Sequence, residues 1–273
     1  MKKIFGIIGN PLEHSLSPIL HNFWFKKYKV DATYSIINTE EKNLGDIVAK
    51  IKNRSLSGIN VTLPYKQKII NHVDQIINDA KLTNSINTLI LNNGSIVGEN
   101  TDVFGLQAAY LKRIDNNITN KALIIGAGGV SPSVILSLYK SGIKQISIIN
   151  RTYDKCLFLK RNFNYLKVLR WSNLQTEIGN YDLIINATSL GLKNGQDFDF
   201  NFDKCKDNAT YIDTIYNPLK TKTFKFLEDK GVKVFNGLDM FIYQGQKSFY
   251  LWNKINPEID DELVNLLLSK LKW

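Results

Sequence analysis

The sequence predicts an α/β protein built from two α/β domains, and three observations carry that expectation. Ten short apolar runs alternate with helical patterns along the 273 residues. Near-continuous apolar runs of this kind mark strands buried on both faces of a parallel sheet, with helices as crossovers. A strand, a glycine-rich turn and a helix follow one another in ALIIGAGGVSPS, residues 122–133. The polar stretch DNNITNK, residues 115–121, interrupts the pattern before that strand and reads as a hinge.

The expected strands, in order, are 3–9 (KIFGIIG), 33–38 (TYSIIN), 57–63 (SGINVTL), 87–92 (NTLILN), 122–128 (ALIIGAG), 145–150 (QISIIN), 167–171 (KVLRW), 181–188 (YDLIINAT), 210–216 (TYIDTIY) and 233–237 (KVFNG). Helical patterns lie between them, as in SPILHNFWFKKY (17–28), VFGLQAAYLKR (103–113) and SPSVILSLYKSG (131–142), and the chain from about 238 onward reads as helical throughout. In LILNNGSIV the pair Asn93-Gly94 stands between two apolar runs, a hairpin signal because both residues accept positive φ. These elements divide into a mostly parallel N-terminal sheet domain, 1–102 completed by 238–273, and a second domain over 103–237.

Apolar residues make up 44% and charged residues 22%, enough to bury a core and unlike a disordered chain. No apolar run approaches the roughly 18 residues of a membrane span, and the short apolar stretch after Met1 meets Asn10, Pro11, Glu13 and His14 too soon for a signal peptide. Two cysteines, Cys156 and Cys205, and three histidines, His14, His21 and His72, form neither a disulfide scaffold nor a Cys/His zinc site; no metal is expected, and a reducing cytoplasm fits. The 35 basic and 25 acidic residues leave a charge of +10. The lysines are spread along the chain without an arginine-rich stripe, Asn is abundant at 30 residues, and no nucleic-acid-binding motif accompanies the charge. Neither nucleic acid nor membrane is an expected partner.

The glycine turn suits a dinucleotide. Gly126, Gly128 and Gly129, with Ala127 between them, sit where the backbone must turn tightly and where a pyrophosphate can approach a helix N-terminus. Ser131 occupies the third position of GxGxxG, so the match is partial. Pro132 suits a first helical turn, and strand 145–150 completes a βαβ unit. NAD sites place Asp or Glu about 20 residues on, against the ribose 2′-hydroxyl. Here that region holds Asn150, Arg151 and Thr152, with Lys155 beyond. Arginine offers planar, charge-assisted bonds to a phosphate, so the expected cofactor is NADP, in a Rossmann-like domain.

Polar constellations gather in the first half. Ser17 before Pro18 is a natural N-cap; Ser15 is not explained that way, and two hydroxyls beside a positive helix end can also hold a carboxylate. Asn60 and Thr62 share one face of a strand by its period of two. Lys66 falls near the start of the next helix, where burial, the helix dipole or neighbouring Lys68 would favour its neutral form and acid/base use, although most lysines are solvated surface residues. Thr101 or Asp102 in GENTDVFG is a candidate N-cap, or Asp102 pairs with Lys66 and binds a substrate hydroxyl. Thr188 ends a strand, where open α/β sheets bind ligands, and Tyr216 and Gln244 stand in further polar turns.

In order and spacing, GNPLEHSLSP, NVTLPYK, INTL, GENTD, GAGG, NRT, NATSLG, YNP and NGLDMFIYQ resemble the motifs of the shikimate dehydrogenases, from residue 6 to about 250. The resemblance implies a substrate domain and a Rossmann-like NADP domain with a cleft between, and reversible NADPH-dependent reduction of 3-dehydroshikimate to shikimate, on the way to aromatic amino acids. By matching position, Lys66 and Asp102 resemble the catalytic pair, and Ser15 and Ser17 the hydroxyls that hold the substrate carboxylate. Thr62, Asn87, Asp102 and Gln244 resemble the groups around the ring hydroxyls and ketone, with Asn60, Thr101 and Tyr216 also on the substrate side. Gly126, Ala127, Gly128, Gly129, Asn150, Arg151, Thr152 and Lys155 match the cofactor turn and 2′-phosphate clamp, and Thr188, Ile215, Gly237 and Met240 the rest of the cofactor site. Related enzymes are monomers or homodimers. The chain departs from the family at Asn84-Ser85, where Gly-Ala is common, and at Phe241, Gly245 and Pro132-Ser133. A quinate/shikimate dehydrogenase of broader cofactor use would share the fold and the Lys/Asp pair; a non-catalytic NADP-binding regulator would be expected to lack one member of it.

Overall fold

Two six-stranded sheets carry the fold of the computed structural model, which describes residues 2–13, 15–114, 120–192 and 196–271. His14 and residues 115–119, most of the stretch read as a hinge, lie outside the described residues. The chain divides into two compact units, one of Met1–Phe104 and Ile242–Lys270, the other of Gly105–Phe241 and Leu271–Trp273.

The first unit runs β1 (Lys3–Ile8), α1 (Ser17–Lys27), β2 (Ala32–Ile36), α2 (Leu44–Lys52), β3 (Gly58–Val61), β4 (Gln75–Ile76), α3 (Asn78–Thr83), β5 (Thr88–Asn92), β6 (Ser95–Glu99) and into α4 (Asp102–Ala109). Its sheet has the order β2-β1-β3-β5-β6-β4. β1 pairs parallel with β2 and β3, and β4 with β6, while β5 is antiparallel to both β3 and β6. The antiparallel step is the hairpin at Asn93-Gly94, with φ of 47° and 77°, as a two-residue turn of this type requires. α2 shows why the sheet is covered: Leu44, Ile47, Val48 and Ile51 recur at helical spacing, and all four are buried in a cluster with Ile8, Ile59, Ile69 and Leu89. β4, two residues long and without an apolar run, has no counterpart among the expected strands.

The second unit continues with β7 (Lys121–Ile125), α5 (Ser131–Lys140), β8 (Gln145–Ile149), α6 (Tyr153–Asn162), β9 (Lys167–Leu169), α7 (Leu174–Glu177), β10 (Leu183–Asn186), β11 (Thr210–Asp213), α8 (Lys222–Asp229) and β12 (Lys233–Phe235); α9 (Leu238–Asn253) and α10 (Asp261–Leu268) complete the chain. The six strands are all parallel in the order β12-β11-β10-β7-β8-β9. Counted from β7, this is the 3-2-1-4-5-6 order of a doubly wound dinucleotide-binding sheet, with its switch point between β7 and β10. Ile124, Ile148, Leu183 and Ile185 are among the fully buried strand residues, the apolar runs that made these strands visible. The C-terminal region is not helical throughout: Lys254 takes φ of 59° and a non-helical stretch separates α9 from α10. Among the described residues no helix is long and apolar enough to cross a membrane.

Candidate active site and cofactor site

In the first unit, Lys66 follows the end of β3 and reaches Asp102, the first residue of α4. Its Nζ lies 2.6 Å from Asp102 Oδ2, and the two side chains are only 11% and 8% exposed. Lys66 does not precede an α-helix as expected: the next element is a five-residue 3₁₀ segment, Lys68–His72, too short for an appreciable dipole. Lys68 turns away to pair with Glu41. Burial against a carboxylate, rather than a helix end, defines the environment of Lys66. The Ile86 N–H donates to the Lys66 carbonyl at 2.8 Å and fixes the turn beside β5.

Asn87 ties the pair to its surroundings. Its Nδ2 lies 2.8 Å from Asp102 Oδ1, 2.9 Å from Thr101 Oγ1 and 3.5 Å from Gln244 Oε1, while its Oδ1 accepts the Thr101 N–H at 2.8 Å. Asp102 is the first residue of α4 rather than the residue before it, and its N–H donates to Asn100 Oδ1 at 3.0 Å. Gln244 lies inside α9 rather than in a turn, and Ser248 follows it by one helical turn. Ser248 Oγ lies 2.8 Å from Thr88 Oγ1 and 3.2 Å from Thr101 Oγ1, and accepts from Asn60 Nδ2 at 3.1 Å. Asn60 also donates to the Asn87 carbonyl at 3.1 Å and accepts from the Tyr34 hydroxyl at 2.8 Å. Asn60 and Thr101 are thus engaged with internal partners, at 5% and 1% exposure. Sequence reasoning missed Ser248 and Tyr34; the one signal for Ser248 was its spacing from Gln244.

Ser17 is the first residue of α1 rather than its N-cap. Leu16 occupies the cap with helical φ and ψ of −84° and −2° and makes no side-chain bond. Ser15 Oγ accepts the Ser17 N–H at 3.4 Å, so Ser15 serves the helix start while its own proton remains available to a ligand. Thr62 lies half-buried just beyond β3. Asn84 takes the left-handed conformation, φ 49°, which explains how it replaces a glycine. Ser85 Oγ, by contrast, is buried without a hydrogen-bond partner, where alanine would leave nothing unsatisfied. Behind this cluster His21 is fully buried, stacked on Tyr34 at 4.4 Å, with no hydrogen-bond partner at either ring nitrogen. Burial pushes its pKa down to about 3, against a small opposing effect of nearby Asn60.

In the second unit the expected cofactor residues meet at the carboxyl ends of the strands. Gly126 has φ of +115°, and a Cβ there would lie 2.8 Å from the Ala187 carbonyl, so only glycine fits. At Gly128 the nearest atom to such a Cβ is 3.8 Å away, leaving an open approach to the turn. Ser131 Oγ donates back to the Gly126 carbonyl at 3.0 Å, which gives the departure from GxGxxG a structural purpose. The Ala127 N–H donates to Asn150 Oδ1 at 3.2 Å, and Asn150 Nδ2 donates to the Thr152 carbonyl at 2.9 Å. Asn150 thereby joins the turn to the loop that presents Arg151, with Lys155 beyond it in the first turn of α6, both exposed. Thr188 and Ile215 follow β10 and β11, and the Gly237 N–H donates to the Ile215 carbonyl at 2.9 Å. Met240 is buried, its N–H donating to the Tyr110 hydroxyl at 3.2 Å. The Tyr216 ring packs on Phe241 at 4.8 Å.

Asp213, at the end of β11, is 1% exposed. Burial pushes its carboxyl up to about 6, although bonds from the Ile215 N–H, Thr221, Asn186 and Tyr211 hold it down. No motif marked it in the sequence.

One family model, described as shikimate dehydrogenase substrate binding domain, matches residues 7–89, and another, shikimate/quinate 5-dehydrogenase, matches 109–193. The shikimate dehydrogenase (NADP(+)) of Pelagibacter ubique (strain HTCC1062) is 41% identical over 98% of this chain and 99% of its own length. A crystal structure of a shikimate dehydrogenase in complex with NADP+ superposes with a TM-score of 0.91 at 32% identity, covering 100% of this chain and 96% of the other. The Thermus thermophilus enzyme in complex with NADP(H) and shikimate does so with a TM-score of 0.87 at 28% identity, covering 98% and 100%. Identity sustained along nearly the whole of both chains places this protein by descent as well as by fold: it belongs to the shikimate dehydrogenase family.

Proposed function

We propose that the chain catalyses the reversible NADP-dependent reduction of 3-dehydroshikimate to shikimate, with Lys66 as acid and base and Asp102 as its partner. The buried Lys66–Asp102 pair, held through Asn87, is the observation that carries this reading. Reducing a ketone leaves a developing alkoxide, which needs a nearby cation and a proton. The Lys66 ammonium supplies both, and Asp102 aims it. In the oxidation direction neutral Lys66 takes the hydroxyl proton. Ser15 and Ser17, at the N-terminal end of α1, hold the substrate carboxylate. Thr62, Asn87, Asp102 and Gln244 receive the ring hydroxyls and ketone, while Asn60 and Thr101 act by holding Asn87 in place. Tyr216 lies on the substrate side.

The residues of the second unit fit NADP: an open glycine turn, Asn150 rather than a carboxylate at the end of β8, and an arginine directly after it with a lysine beyond. Gly126, Ala127, Gly128 and Gly129 would receive the pyrophosphate, Asn150, Arg151, Thr152 and Lys155 the 2′-phosphate end, and Thr188, Ile215, Gly237 and Met240 the remainder. Bound NADPH supplies the hydride. The protein acts on its own, as a monomer or homodimer, in the cytoplasm. The test is nicotinamide absorbance during oxidation of shikimate and of quinate, with NADP and NAD in parallel. Turnover of shikimate with NADP is expected. Comparable rates with quinate or NAD would make it a broader dehydrogenase, and no turnover with any pair would overturn the enzymatic reading.

A further inference from the structure

We propose that Asp213 is a positioning residue of the cofactor site, holding through Asn186 and the Ile215 N–H the two loops that carry Thr188 and Ile215. This rests on the assignment of those two residues to the cofactor. Asn186 and Asp213 are register partners at the ends of the parallel neighbours β10 and β11, where ligands of open α/β sheets lie. Asn186 Oδ1 accepts both the Thr188 N–H, at 3.0 Å, and the Thr188 hydroxyl, at 2.7 Å. Thr188 Oγ1 in turn accepts the Leu190 N–H at 3.0 Å.

The direction of this relay is forced. A backbone N–H can only donate, so the Asn186 oxygen must face Thr188 and its amino group must face Asp213. That amino group donates to Asp213 Oδ1 at 3.1 Å, and the Ile215 N–H donates to the same oxygen at 3.0 Å. Thr221 Oγ1 donates to the other oxygen, Oδ2, at 2.8 Å. One buried oxygen therefore closes two loops at once. The Ile215 loop is passed on to Gly237 through the Ile215 carbonyl. Lys66, Asp102, Ser15, Ser17 and Thr62 belong to the other unit and only Tyr216, next to Ile215, shares this one, so the effect should fall mainly on cofactor affinity and much less on shikimate affinity.

Asp213→Leu keeps the side-chain size and removes the acceptor of the Asn186 amino group, the Ile215 N–H and the Thr221 hydroxyl. NADPH Kd, read by nicotinamide fluorescence, should rise about tenfold or more, with the shikimate KM at saturating NADPH rising by less than about threefold through Tyr216 alone. Asp213→Asn retains an oxygen toward Asn186 and Ile215, and the Thr221 and Tyr211 hydroxyls can rotate to accept from its amino group. It should restore NADPH Kd to within about threefold of the unmodified protein, since its donors stay paired. If Asp213→Leu does not fold, Asn186→Ala carries the test, with the same loss of NADPH affinity. If both fold, the double variant should be no worse than the more affected single, because the two act in one relay. The proposal is overturned by an NADPH Kd within about twofold of the unmodified value in a folded Asp213→Leu or Asn186→Ala, a difference inside ordinary surface-substitution scatter. Equal loss in Asp213→Asn and Asp213→Leu, or a shikimate KM that rises as much as the NADPH Kd, also overturns it. Unmodified protein that binds NADPH but does not oxidise shikimate overturns the enzymatic reading alone; failure to bind NADPH overturns both.

Discussion

Replacing Lys66 by methionine keeps the length of the side chain and removes its charge. Asp102 then retains Asn87 at Oδ1 but loses the ammonium 2.6 Å from Oδ2, in a site where both side chains are about one-tenth exposed or less. Removing one partner of a buried ion pair costs about 3–5 kcal/mol, because the survivor is left charged and unpaired. The slight exposure of this pair points to the lower end, so about 3 kcal/mol of unfolding free energy should be lost. Turnover should fall by about 10²–10⁴, the range for loss of a positioned general acid. Lys66→Met/Asp102→Asn separates the two effects: with no stranded carboxylate, at least about half of the lost stability should return, while turnover stays lost. Urea unfolding of the four proteins of the cycle, with single-turnover reduction beside it, measures both. Turnover of Lys66→Met within about tenfold of the unmodified rate would refute the catalytic role. A stability cost below about 1 kcal/mol with no coupling would show that the pair behaves like a solvated surface pair.

Three further outcomes are expected. Arg151→Ala should weaken NADPH by tenfold or more, about the worth of a charge-assisted contact, and NADH far less; equal losses would mean that Arg151 does not meet the 2′-phosphate. For His21, the folded imidazole stays neutral down to about 3 while the unfolded one takes its proton near 6.5. Stability should therefore fall as pH drops through that window, by up to about 5 kcal/mol. His21→Leu should abolish this term in urea titrations between those pH values. Asp213, raised to about 6, has the opposite slope, its contribution falling as pH rises from 3.8 to 6, but it is common to both proteins, so parallel curves would refute the His21 account. Gly126→Ala should cost more than about 1 kcal/mol because a Cβ cannot be placed at that φ. Gly128→Ala should leave melting nearly unchanged and weaken NADPH binding; a Gly126→Ala protein as stable as the parent would show that the turn can relax.

What was legible in the sequence, and what was not, follows from where each signal resides. The four central strands of the second unit, β7, β8, β10 and β11, are buried on both faces, so LII and ALII announce themselves without their partners. β4 has two residues and no such run, and exists only because β6 lies beside it. For Lys66 and Asp102, 36 residues apart, the residues offered pairing only as an alternative to an N-cap, and the family pattern was needed to choose it; spacing alone placed Lys66 at a helix where the structure has a short 3₁₀ segment. The Ser17 cap failed because a cap is decided by the backbone of the preceding residue, and Leu16 was already helical. Ser248, Asp213 and Asn186 act through neighbours on other elements, and His21 reads as one more ring on an apolar helix face until its lack of a partner is seen.

The Lys66–Asp102 pair carries no net charge, and the expected carboxylate ligands, Ser15 and Ser17, are neutral hydroxyls. On the proposed assignment, recognition of shikimate in the first unit is a matter of dipoles at short range. On the same assignment Arg151 and Lys155, which are exposed, make cofactor capture a matter of net charge at long range. The two ligands should part company in salt. Between about 0.01 M and 1 M, where the screening length shrinks from about 30 to 3 Å, NADPH affinity should fall steeply while shikimate affinity changes little. The enzyme would then sense the ionic strength around it through its cofactor and hardly at all through its substrate.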